Sequence, residues 1–71
     1  MRAPGPRPLT PRELEVARLA VRKLTYGRMG EALGISPFTA RAHLVSAYRK
    51  TRTGSRAALA AHLAQDSDSL T

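Results

Sequence analysis

Phe38, Arg41, Ala42, Val45, Arg49 and Arg52 recur every three or four residues, so a helix through them carries apolar and guanidinium side chains along one stripe. An arginine fork has five donors and no acceptor, which suits paired acceptors such as guanine O6 and N7 or the oxygens of a phosphate. Small apolar neighbours suit a methyl group such as that of thymine. His43, Ser46 and Lys50 flank the stripe on one side and Arg28, Arg52 and Arg56 on the other, all within reach of a phosphate wall. Phe38 has two readings at this level, a staple for the preceding turn or a contact to a sugar or methyl group.

The charge of the chain points the same way. Among 71 residues, twelve Lys and Arg against five Asp and Glu give +7, which favours a polyanionic partner. The charge is also polarised. Positions 37–65 carry five Lys or Arg and no acidic residue, while Glu13, Glu15 and Glu31 fall earlier. No apolar run approaches the length of a spanning helix, and the start "MRAPGPRP" lacks the apolar core of a signal peptide, so a cytoplasmic, nucleoid-associated chain is expected. Without cysteine there is no thiolate zinc site and no disulfide. Two histidines on separate surfaces, with no nucleophile and orienting acid beside them, give neither a hydrolase site nor a metal site, so no enzyme activity and no cofactor are expected.

The elements that must position the stripe announce themselves by their start signals. Residues 1–8, with three prolines, read as a basic, flexible arm, residues 9–65 as one small all-α domain, and residues 66–71 as a polar tail. In "LTPRELEVARLAVRKL", Thr10 caps, Pro11 takes the first helical position, and Glu13 completes a capping box between Leu9 and Leu14. Leu14, Ala17, Val21 and Leu24, with Val16 and Leu19 alongside, form the expected buried stripe. "TYGRMGEALG" repeats the pattern with Thr25 as cap and Gly34 as terminator. A third helix starts at Ser36 and Pro37 and runs to about Thr51; a fourth, "SRAALAAHLAQ", follows the break at 53–55.

Only "GIS" joins the second and third segments. Gly30 and Gly34 permit close backbone approach, and Ile35 can plug the corner, which makes a helix-turn-helix whose second helix suits a major groove. Ala40, Leu44, Ala47, Tyr48 and Thr51 should then face the core, leaving the arginine stripe outward. The whole is expected to be a four-helix bundle with the third helix as recognition helix.

The runs "LTPRELEV", "EALGIS", "TARAHLVSAYRK" and "SRAALAAHL" resemble the LuxR-type (GerE-like) helix-turn-helix of bacterial transcription regulators over about residues 9–65. The resemblance implies a four-helix DNA-binding domain with a third helix that reads bases and a fourth that commonly forms a dimer interface. Base-reading positions then fall on Arg41, Ala42 and Val45. Phosphate contacts fall mainly on Thr39, His43 and Lys50, with Tyr26 and Gly27 nearby and Arg28, Arg49 and Arg52 as further cations. The dimer seam falls on Ala57, Ala58, Ala61 and His62, although alanines there serve equally as helix-forming surface residues.

Three departures from the family pattern stand out. Arg28 replaces a usual acidic residue, so the second capping box cannot close. Ala40, Ala47 and Thr51 are smaller or more polar than usual, which thins the core, and Lys23 replaces a common helix-ending glycine. Such domains usually hang from a receiver or ligand-binding domain, so a single-domain regulator and an excised piece both fit. A second class of function also remains open: a protein-interaction module that binds RNA polymerase or a partner regulator, similar to the promoter-reading end of sigma factors.

Overall fold

The computed structural model describes residues 9–69. It contains α1 (Pro11–Val21), α2 (Tyr26–Leu33), α3 (Pro37–Thr51) and α4 (Arg56–Ser69) and, among the described residues, no strand. The arm at 1–8 and the last two residues of the expected tail lie outside the described residues. Helix α3 packs chiefly on α1 and α2, and α4 packs on α1 and α3.

Thr10, Thr25 and Ser36 stand at the starts as the sequence indicates, and Ser55 adds a fourth cap. The Glu13 amide donates to Thr10 Oγ1 at 3.1 Å and the Thr10 amide donates to Glu13 Oε1 at 2.9 Å, closing the capping box of α1. Thr25 accepts from the Arg28 amide at 3.1 Å but receives nothing in return, since an arginine side chain has no acceptor. Ser36 accepts from the Thr39 amide at 3.0 Å, and Ser55 accepts from the Ala58 amide at 3.1 Å. Such caps are worth about 1 kcal/mol each.

Helix ends depart more from expectation. The α1 pattern runs through Leu24 in sequence, yet the helix stops at Val21 because Lys23 turns into the left-handed region at φ 68°. Its amide reaches the Ala20 carbonyl at 2.9 Å and the Leu24 amide reaches the Leu19 carbonyl at 3.3 Å, so the turn closes as a glycine-type reversal built on a lysine. A side chain in that conformation costs roughly 1 to 2 kcal/mol, which a glycine would avoid. Arg52 ends α3 in the same way at φ 56°. Helix α4 continues to Ser69, four residues past the expected end at Gln65.

The core is thin, as the small residues suggest. Its fully buried members are Val16, Ala17, Ala20, Met29, Ala40, Leu44, Ala47 and Leu59, of which half are alanines that bring helices close but bury little apolar area. The buried side of α1 is Glu13, Val16, Ala17 and Ala20, rotated from the stripe expected at Leu14, Ala17, Val21 and Leu24. The rotation turns the Glu13 carboxylate toward α3. Thr51, on the inner side of α3, satisfies its hydroxyl by donating back to the Ala47 carbonyl at 2.8 Å.

At the corner between α2 and α3, Gly34 adopts φ 70° and Gly30 lies beneath the turn. A Cβ on Gly30 would collide with the Ile35 carbonyl oxygen and crowd Pro37 N and Ser36 C at 3.3 Å. The Ile35 amide donates to the Gly30 carbonyl at 3.0 Å, so any larger residue at Gly30 would open the corner that sets the direction of α3.

Candidate nucleic-acid interface

Orientation of α3 decides what the interface contains. Ala40, Leu44, Ala47 and Thr51 are buried and Tyr48 packs beside them, so the opposite stripe faces solvent. Phe38, Arg41, Ala42, Arg49 and Arg52 are exposed and Val45 is half-buried. Among the described residues no acceptor holds Arg41, Arg49 or Arg52. Their guanidinium groups remain available to an anion or a base edge.

The flanks of the stripe behave differently from each other. Thr39 accepts a hydrogen bond from the Ser36 hydroxyl at 2.9 Å, which leaves its own hydroxyl proton for an acceptor in solvent. His43 is half-buried on the side of the helix. Lys50 and Ser46, expected on phosphates, are engaged inside the protein. Lys50 Nζ donates to Glu13 Oε1 at 2.8 Å and Ser46 Oγ donates to Glu13 Oε2 at 2.6 Å. The Glu13 and Lys50 side chains are 8% and 21% exposed, so the pair is largely shielded from water.

Burial alone would raise the Glu13 carboxyl. Hydrogen bonds from Lys50, Ser46 and the Thr10 amide, together with the Lys50 charge, outweigh it and hold the group at about 2 against an ordinary 4.5. This clip ties the first turn of α1 to the last third of α3 and therefore helps to fix the angle at which the stripe is presented. Sequence reasoning assigned Glu13 to its local cap only. A signal was available, because Glu13 shares a helical face with Val16, Ala17 and Ala20, and a carboxylate on a buried face needs a cation.

On the other side, Arg56 and Tyr26 also turn inward. Arg56 Nη1 donates to the carbonyls of Ala20, in the last turn of α1, and Leu24, just beyond it, and its guanidinium sits 5.7 Å from the centre of the Tyr26 ring. Tyr26 itself is half-buried against the core. Arg28 stays on the surface, 3.8 Å from Glu31, with both side chains 75% exposed. Ala57, Ala58 and Ala61 are exposed along α4, and His62 beside them is half-buried.

An outward arginine stripe on the second helix of a tight helix-turn-helix, with +7 on the chain, is the footprint of a DNA-binding module. A family model for the GerE domain, described as bacterial regulatory proteins of the luxR family, matches residues 7–63. The chain belongs to the luxR family of bacterial regulatory proteins. Its all-α helix-turn-helix is accordingly the DNA-binding domain of a transcription regulator. Neither a search of curated proteins nor one of solved structures found a match. Among the described residues, no helix is long and apolar enough to cross a membrane.

Proposed function

We propose that this luxR-family domain binds duplex DNA in a sequence-specific manner, as a dimer, with the outward side of α3 in the major groove. Arg41, Ala42 and Val45 face base edges, and Arg41 forks onto a guanine. Thr39, His43, Arg49, Arg52 and Arg28 lie along the two phosphate walls. Lys50, Ser46, Tyr26 and Arg56 act one step back, holding α3 and the turn in place. Ala57, Ala58, Ala61 and His62 form the seam with a second copy. The cell compartment that fits this reading is the cytoplasm, where the nucleoid is.

The observation that carries the reading is the exposed Arg41, without a partner among the described residues, next to exposed Ala42 on a helix whose opposite face is buried. No acidic residue occurs from 37 to 65 to repel a phosphate backbone. Selection of bound sites from a random duplex pool tests it directly. The expected winners share a half-site repeated at a spacing of about one helical turn. With roughly eight phosphates engaged by the dimer, affinity should fall about a thousandfold or more between 50 and 200 mM salt. An unenriched pool, with retention by RNA polymerase freed of nucleic acid, would replace this reading with that of a protein-interaction module.

A further inference from the structure

We infer that Phe38 is a base-reading residue that packs on the 5-methyl group of a thymine at the edge of the half-site; the inference rests on the DNA reading above. Phe38 is 77% exposed and, among the described residues, is the large hydrophobic side chain that the fold leaves in water. That exposure removes the reading in which it staples the turn, because Ile35 fills the corner and packs on the core instead. Nothing in the fold requires an aromatic ring at this position.

Its surroundings say what covers it. Phe38 lies one helical turn before Arg41 and Ala42 and two before Val45, so the four share one stripe. The cations nearest along that stripe, Arg41, Arg49 and Arg52, make no ion pair among the described residues. An apolar ring embedded in such a field suits a polyanion that also displays an apolar group, and in a major groove that group is the thymine methyl. Three or four residues of helix advance about 5 to 6 Å, or roughly one to two base-pair steps. The thymine is therefore expected within about two pairs of the guanine read by Arg41.

The test replaces single atoms on the DNA. In duplexes carrying a selected site, each thymine within two pairs of that guanine is exchanged in turn for deoxyuridine, which lacks only the methyl group, and binding is measured for the wild-type chain and for Phe38→Ala. One exchange should weaken wild-type binding about fourfold, the loss for one buried methyl group, and should change Phe38→Ala binding less than twofold. Circular dichroism and thermal melting should show Phe38→Ala folded as the wild type, as its exposure implies.

If deoxyuridine costs both proteins the same at every position, the methyl contact does not exist, although Arg41→Ala would still relax the guanine preference and the DNA reading would stand. If Phe38→Ala instead dissociates a dimer in sedimentation without DNA, the ring belongs to a protein interface and the inference is overturned. Failure to select any site would remove the DNA reading itself, and the inference with it.

Discussion

The two polar sides of α3 are spent in opposite ways. On one, Ser46 and Lys50 bond to the Glu13 carboxylate within a partly buried contact to α1. On the other, Arg41, Arg49 and Arg52 stand in water with no partner among the described residues. The lesson is that residue type does not assign a basic side chain to DNA. Lys50, beside the outward stripe, is held inside the fold because a buried carboxylate lies 2.8 Å away, while Arg41 on the stripe meets no carboxylate among the described residues.

Removing the clip should produce the largest effect. Glu13→Ala leaves the Lys50 ammonium and the Ser46 hydroxyl poorly paired against a thin core, and breaking a buried pair from one side costs about 3 to 5 kcal/mol. For a small domain that is a large share of total stability, so the urea midpoint of Glu13→Ala should drop sharply. Lys50→Ala should lower the midpoint as well and leave the salt slope of DNA binding unchanged. A slope reduced by about one with an unaltered midpoint would move Lys50 to the phosphate wall.

Acid should dissolve the same contact. The Glu13 carboxyl titrates at about 2 in the folded chain against an ordinary 4.5, so between these values the unfolded chain binds the additional proton. Its contribution is complete above pH 5 and is lost as pH falls from there toward 2. Urea midpoints measured from pH 6 down to pH 3 should decline for the wild type and run flatter for Glu13→Gln. Parallel curves would take the clip out of the acid response.

Arg41→Ala probes the free side. It should change stability by no more than about 0.5 kcal/mol, as an exposed substitution with no partner among the described residues. On DNA it should cost about 1 to 3 kcal/mol at a cognate site and less at a scrambled one, read as a narrowed ratio of dissociation constants. An unchanged ratio would transfer base discrimination elsewhere on the stripe. Against Glu13→Ala the contrast is one-sided: Arg41→Ala should narrow specificity while leaving stability nearly unchanged, whereas Glu13→Ala lowers stability first and reaches DNA only through the angle of α3.

What sequence made legible follows the range of each interaction. Thr10, Thr25, Ser36 and Ser55 are readable as caps because each bonds an amide three residues away. The inner and outer faces of α3 are readable because helical spacing is local. The roles of Lys50 and Arg56 are not, since their acceptors lie 37 and at least 32 residues away and depend on how α1 is rotated. Read as a cap alone, Glu13 does not disclose that rotation. The end of α1 is hidden for a related reason: apolar spacing carries through Leu24, whereas the chain reverses at Lys23 and delivers Leu24 to the core from outside the helix.

The smallest expected effect concerns the second carboxylate beside a cation. Arg28 and Glu31 are both 75% exposed and 3.8 Å apart, the same pairing of charges as Lys50 with Glu13 but in water. Such a surface pair contributes between about 0 and 1 kcal/mol, so Glu31→Gln should move the urea midpoint by little more than its error. Its effect on DNA should have the opposite sign to that of every other substitution considered. Removing a negative charge beside Arg28 frees that guanidinium and raises the local potential, so affinity should rise a few-fold at low salt and converge with the wild type near 0.2 M, where charges are screened beyond about 7 Å. A rise that persisted at high salt would instead mean that Glu31 holds Arg28 in a direct contact geometry, and the exposed pair would then resemble the clip more closely than its exposure suggests.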